Sequence, residues 1–188
     1  MRAVTVVDLG RSSNRGYEPG RPFLVRAIWL VVEAAILLNP FVTSYRLKTT
    51  LLRMFGASVG HGLIIKPNVH VKYPWHLDLG DNVWIGERAW IDNFTTVRVG
   101  SNACISQGAY LCTGNHDWAD PTMGLVVKPI IVEAGAWIAA FARVAPGLRV
   151  AEESIVGIGA VLTEDTEPRG IYLGNPAVRV GVRRFAET

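Results

Sequence analysis

The sequence predicts a mainly β fold, a parallel solenoid of six-residue repeats preceded by a helical segment. Three observations carry this. Aliphatic residues recur at every sixth position through Val132, Ile138, Val144, Val150, Val156 and Leu162. Four positions after each stands Ala136, Ala142, Leu148, Ser154, Ala160 or Thr166, mostly small. The spacing also runs upstream through Val59, Ile65 and Val71, then Leu79, Ile85 and Ile91 after a slip of two, then Val99, Ile105 and Leu111 after another. A helix cannot hold every sixth residue on one face, because six steps turn it by roughly 240°. A single strand this long would far exceed the usual ~3–10 residues. Short strands joined by regular corners, three flat faces to a coil, fit the period. Gly60, Gly80, Gly86, Gly100 and Gly157 each follow an aliphatic, where a corner is expected to need free φ/ψ.

Residues 1–56 read as an extension ahead of the repeat. The first 21 are polar and Gly-rich, expected to be extended or poorly ordered. Pro22 opens an apolar helix over Phe23 to Leu38, stopped by Asn39-Pro40. Its sixteen residues span about 24 Å against a bilayer core of about 30 Å, and Glu33 lies within it, so it is not expected to cross a membrane. A helix apolar nearly all round must still be covered. Either the β-helix or a neighbouring subunit covers it, or it lies in a membrane interface. A second helix is expected from Thr43 to Phe55 with Gly56 as its stop.

The repeat occupies residues 57–168. Between Leu111 and Val132 lie 21 steps, three more than one 18-residue coil, so one coil is expected to be bulged by an inserted loop over 113–130. Function in repeat proteins gathers on such insertions. A tail, 169–188, carries GNPA and four arginines.

The chain has 188 residues, 49% hydrophobic and 19% charged, with a net charge of +3, which suits a globular domain. No basic run argues for nucleic acid. Cys104 and Cys112 form no CxxC or disulfide framework and read as small fillers before any redox role. No leading apolar core with a cleavage site is seen, so the expected location is cytoplasmic.

Of four histidines, His61, His70, His76 and His116, only His116 lies in the insertion, flanked by Asn115, Asp117, Trp118 and Asp120. A lone loop histidine is ordinarily just solvated. This one interrupts a uniform repeat, and an imidazole titrates near neutral pH, which suits general-base work.

GNHDWADP, IDNFTTVRVG, CISQGAYLCTGNHDW, PWHLDLGDNVWIGE, Trp137-Ile138, Pro146-Gly147 and GIYLGNPAV together resemble the hexapeptide-repeat acyltransferases. The resemblance runs from about Phe23 to Arg184 and is greatest to the colanic-acid-type exopolysaccharide O-acetyltransferases. It implies a left-handed β-helix, a handedness that the resemblance alone supplies, because ordinary parallel crossovers are right-handed. It implies acetyl-CoA as co-substrate, no metal, and a sugar acceptor that is free, lipid-linked or nucleotide-linked. By resemblance His116 is the base and Ala140 gives the N–H for the thioester oxygen. Trp137, Ile158, Thr163, Asn175, Pro176, Arg179 and Arg183 fall to the CoA side, and Asp92, Asn93 and Asn115 to the acceptor. The family further implies a homotrimer with sites between subunits and leaves peripheral membrane contact open. Two departures stand out. Ala139 replaces the glycine of Trp-Ile-Gly, and Glu164 has the wrong sign for a CoA phosphate, leaving that task to Arg179, Arg183 or Arg184. Two competing functions are a catalytically dead scaffold and a zinc enzyme of the carbonic-anhydrase type. The latter needs a close pair of histidines on one loop, and Pro121 stands where the partner of His116 would fall.

Overall fold

The structure, a computed structural model, describes residues 6–12 and 16–186. Expectations for 1–5, 13–15 and 187–188 lie outside it.

Three parallel sheets form a triangular prism. The first face stacks Ser58–Val59, Leu77–Leu79, Val97–Val99, Ile130–Val132 and Arg149–Val150. The second stacks Ile64–Ile65, Trp84–Ile85, Cys104–Ile105, Trp137–Ile138, Ile155–Val156 and Gly170–Leu173, with Val178–Val182 added antiparallel at its end. The third stacks His70–Val71, Trp90–Asp92, Tyr110–Cys112, Arg143–Val144 and Val161–Leu162. The predicted aliphatics point inward: Ile65, Ile91, Ile105, Leu111, Ile138, Val150 and Val156 are all fully buried. Burying each contributes roughly 1.5–3 kcal/mol.

The glycines expected at corners have a different cause. Gly80 and Gly100 do not take positive φ. A Cβ on Gly80 would lie 2.6 Å from the Ser101 nitrogen, and one on Gly100 would lie 2.6 Å from the Ala134 nitrogen. Stacking of adjacent coils excludes the side chain. Left-handed φ falls instead two residues later, at Asn82 (55°) and Asn102 (59°), whose side-chain amides meet at 3.4 Å. Asn tolerates that region better than most residues.

The insertion also differs from expectation. It contains no coil of its own. Ile130–Val132 pairs directly with Val97–Val99, so all the extra residues leave from one corner, between the third and first faces. The two-residue slips sit at this same corner in the two coils before it, which explains the common direction of all three irregularities.

A prism built this way leaves an open strand on each face at its N-terminal end, with unpaired backbone groups. The helices close it. Helix α1 (Phe23–Val32) continues into one wider, π-helical turn over Glu33–Leu37 and presents Trp29, Glu33 and Leu37 to the core. Trp29 Nε1 donates to the Val71 carbonyl at 2.8 Å, and Glu33 Oε1 accepts the Val71 N–H at 2.8 Å. Helix α2 (Tyr45–Met54) is capped by the Ser44 hydroxyl, which accepts from the Leu47 N–H at 3.3 Å. From α2, the fully buried Lys48 donates to the Lys66 carbonyl at 3.0 Å, closing the second face. Arg53 donates to the carbonyls of Val59 and Gly60, at 2.7 and 2.9 Å through Nη2, closing the first. The prism covers α1 on one stripe only. Phe23, Leu24 and Val31 are 76%, 68% and 67% exposed. No helix among the described residues is long and apolar enough to cross a membrane.

The described part of the polar N-terminal segment is laid against the prism. Trp75 Nε1 donates to the Pro19 carbonyl at 2.6 Å, Tyr17 donates to the Phe94 carbonyl at 3.1 Å, and the Asp8 N–H reaches the Pro121 carbonyl at 2.9 Å.

Burial pushes the Glu33 carboxyl up to about 7, against the opposing pull of the Val71 N–H and Lys72. A carboxyl raised on folding favours the native state while protonated. That contribution is whole below about 4.5 and is lost as pH climbs through about 7. Urea unfolding should therefore show lower stability at pH 8 than at pH 5 from this group, by on the order of 2 kcal/mol. Glu33→Gln, which keeps an acceptor for Val71, should flatten that difference; an unchanged pH dependence in the variant would rule Glu33 out as its source.

Candidate functional site

The enlarged third–first corner builds the candidate site in three layers. In the lowest, 72–76, the backbone is gripped by Asn93 from the coil above. The Asn93 Oδ1 accepts the Tyr73 N–H at 3.0 Å and its Nδ2 donates to the Tyr73 carbonyl at 2.6 Å. Asn93 is fully buried with both amide atoms occupied, so its side chain holds the corner rather than offering itself to an acceptor. Thr113 repeats the device one coil higher, donating to the Asp92 carbonyl at 2.9 Å.

Asp92 is buried and shared. Its Oδ2 accepts from the Tyr110 hydroxyl at 2.9 Å. Its Oδ1 lies 3.2 Å from Lys72 Nζ, an ion pair whose angle falls outside hydrogen-bond geometry. Lys72 also sits over the Phe94 ring at 4.0 Å. The Tyr110 hydroxyl contacts Cys112 Sγ at 3.2 Å, and that thiol donates to the Gly114 carbonyl at 2.9 Å. Burial, with Cys112 and Asp92 adding to it, raises the Tyr110 phenol well above its ordinary range, so it stays a donor.

Above this floor the insertion folds as a hairpin, Gly114–His116 antiparallel to Leu125–Val127. Asp120 fastens its tip. Its Oδ1 accepts the Thr122 N–H at 2.9 Å and its Oδ2 the Gly124 N–H at 3.1 Å. Asp117 turns away from the histidine to accept the Ala119 N–H at 2.9 Å. His116 ends the first strand. Its own N–H is held by Asn115 Oδ1 at 2.8 Å, and its ring Nδ1 lies 2.7 Å from the Met123 carbonyl. A carbonyl oxygen only accepts, so Nδ1 carries the hydrogen and Nε2 keeps its lone pair. Sequence reasoning missed this orienting group, because any residue at position 123 would supply the same carbonyl.

The residues expected around the cofactor do not converge in a single chain. Ala140 and Ile158 stack at the second–third corner, where the Gly159 N–H donates to the Ala140 carbonyl at 2.9 Å. Asn175 and Pro176 continue that edge, since the Val161 N–H reaches the Gly174 carbonyl at 2.9 Å. Ile158 is 74% exposed. Ala139, in place of the family glycine, is buried without distorting its ladder bond to Val156 at 2.8 Å. Trp137 lies half exposed on the second face, its Nε1 donating to Ser106 at 2.9 Å. Thr163 follows Leu162 and so stands on the third–first edge with the insertion. Arg179 pairs with Glu167 at 2.9 Å. Arg183 donates to the carbonyls of Gly135 at 2.9 Å and Glu153 at 3.3 Å, on the first–second edge. That engagement through Nη1 staples the tail to the prism.

No established family profile matches the sequence. Individual proteins do. Over 174 residues the chain is 33% identical to the Escherichia coli (strain K12) protein provisionally named colanic acid biosynthesis acetyltransferase WcaF, covering 93% of this chain and 95% of that one. The chain belongs to the hexapeptide-repeat acetyltransferase family. It is also 25% identical over 132 residues to the galactoside O-acetyltransferase of E. coli, covering 69% and 65%. Among solved structures, a hexapeptide-repeat acetyltransferase from Vibrio cholerae in complex with acetyl coenzyme A superposes with a TM-score of 0.78 at 18% identity, covering 86% and 88%. A galactoside acetyltransferase in complex with coenzyme A gives 0.76 at 20%, covering 85% and 80%. These likenesses show the fold, a left-handed parallel β-helix with a helical segment ahead of it.

Proposed function

We propose that this member of the family transfers the acetyl group of acetyl-CoA directly to a sugar hydroxyl in exopolysaccharide or related glycan biosynthesis, with His116 as general base. The observation that carries this is the 2.7 Å contact of His116 Nδ1 with the Met123 carbonyl, which leaves Nε2 as the proton acceptor. The likeness to the colanic acid acetyltransferase and to a galactoside O-acetyltransferase supports the donor and the acceptor class.

In this reading Nε2 takes the hydroxyl proton as the sugar oxygen attacks the thioester carbon. The tetrahedral oxyanion accepts the Ala140 N–H, the C–S bond breaks, and the imidazolium returns its proton to the CoA thiolate. Proximity supplies the remainder, and no acyl-enzyme is needed. Asp92 and Asn115 flank the acceptor, with Asn93 as a positioning residue.

His116 and Ala140 stand on opposite edges of the third face. The five steps from Ala140 to Ala145 reach at most about 17 Å across it. A second copy must bring its second–third edge to the first copy's hairpin, and cyclic closure makes a homotrimer with three sites. The surface chemistry agrees. The first face shows ion pairs, Arg98 with Asp78 and Arg149 with Glu133. The second and third show Trp84, Trp90 and Trp137, 42–56% exposed. Acetyl-CoA use fits a cytoplasmic site, and the exposed side of α1 fits peripheral contact with the inner membrane.

The test is release of CoA thiol from acetyl-CoA with and without a panel of sugars, nucleotide sugars and lipid-linked oligosaccharides. Acceptor-dependent release is the expected result. Release that ignores every acceptor, or none from a correctly folded trimer, would favour the scaffold reading.

A further inference from the structure

A cavity lies between α1 and the third face, with a volume of about 320 Å³, lined by Arg26, Trp29, Glu33, Lys72, Tyr73 and Trp90 among others. One of its walls carries a donor left unused among the described residues. Arg26 Nε is buried and bonds to no group among the described residues. The guanidinium cannot shed its proton, so a buried unpaired N–H there costs stability unless a ligand accepts it. The nearby carboxylates are otherwise engaged. Glu33 Oε1 accepts the Val71 N–H at 2.8 Å, with His70 Nδ1 at 3.6 Å, and Asp92 is held by Lys72 and Tyr110. The guanidinium also lies 5.8 Å from the Phe23 ring centroid and close enough to the Tyr17 phenol for its charge to act on it.

The remaining walls suit a sugar. Trp90 is half exposed, and its ring leans on Tyr110 at 5.0 Å and on His70 at 5.5 Å. Lys72 belongs to both places: it lines this cavity and forms the ion pair with Asp92 on the floor of the His116 corner. The cavity is therefore next to the acceptor side of the candidate site and on the same edge of the prism.

We infer that this cavity receives the phosphate or pyrophosphate of a phosphate-bearing sugar acceptor, with Arg26 as its donor, Lys72 beside it and Trp90 against the adjoining sugar ring. This rests on the proposed function and narrows its acceptor from any sugar to one carrying a phosphate or pyrophosphate. Planar Arg suits phosphate oxygens through paired N–H groups. The phosphate can belong to a soluble nucleotide sugar or to a polyprenyl-linked one.

Calorimetry on the full chain, saturated with CoA to fill that nucleotide's own phosphate contacts, separates the cases. The probes are inorganic pyrophosphate, a UDP-hexose, and polyprenyl phosphate in phosphatidylcholine vesicles. Parent protein should bind pyrophosphate and one of the two carriers, and the carrier bound identifies the source. Arg26→Gln should weaken that binding about tenfold or more, Arg26→Lys should restore part of it, and His116→Ala should leave it unchanged. In turnover, Arg26→Gln should raise KM for the phosphate-bearing acceptor while kcat, and KM for the same sugar without phosphate, stay near parental. No binding of any probe, or binding insensitive to Arg26, overturns the inference while leaving acetyl transfer to sugars standing. Acetylation of no sugar at all, with Arg26-dependent binding intact, would instead overturn the function and keep the anion site.

Discussion

His116→Ala should lower kcat by about 10²–10⁴-fold, the range that a positioned general base supplies. The loss should fall on kcat, because in the proposed mechanism the imidazole only moves protons between the reacting hydroxyl and the departing thiolate and adds little to ground-state binding of acetyl-CoA. Affinity for acetyl-CoA and the assembly state should stay near parental, since the hairpin is also held by Asp120 and by the Lys128 N–H, which reaches the Thr113 carbonyl at 2.9 Å. His61→Ala and His76→Ala provide the contrast and should stay within a few-fold of the parent, because neither lies on the insertion. Steady-state kinetics with a saturating acceptor decide it. Parental kcat in His116→Ala would recast the hairpin as a substrate lid.

Ile138→Asp should abolish soluble, cooperatively folding protein. Ile138 is fully buried at the centre of the second face, paired with Ile105 on one side and Val156 on the other. Aspartate there would lose the apolar contact and place an unpaired charge where no donor can reach it. Such a group adds several kcal/mol to a fold whose whole margin is about 5–15 kcal/mol. The effect should be larger than that of Ile131→Asp next along the coil, which points outward at 38% exposure. Circular dichroism and urea unfolding read both. A soluble, two-state Ile138→Asp protein would contradict the inward register.

The inward register was legible because burial on a triangular prism imposes its own period on the sequence. Ile105, Ile138 and Val156 had to be aliphatic, and so the six-residue spacing showed. The family was legible from its motifs, GNHD and GNPA above all. Other features left no such mark. The Met123 carbonyl that orients His116 is a backbone group, and no side-chain pattern reports it. Asn93 looks in sequence like an available amide, and only the stacking of one coil on the next shows that the Tyr73 backbone occupies it. Lys48 and Glu33 look like surface charges on their helices. Their burial comes from capping sheet edges that exist only once the prism is closed. The insertion was miscounted because a surplus of residues does not say at which corner they leave. The partners of Arg183, the carbonyls of Gly135 and Glu153, are set by tertiary packing and leave no mark beside it in the sequence.

The most direct measurement follows the acetyl group itself. Purified protein is given acetyl-CoA labelled in the acetyl group together with an acceptor that stimulates thiol release, and the label is traced by mass spectrometry and NMR. The account predicts one O-acetyl ester on a sugar hydroxyl for each CoA released, with no label retained on the protein, and loss of the transfer in His116→Ala. Label recovered as free acetate, or on a protein side chain, would contradict direct transfer to the acceptor.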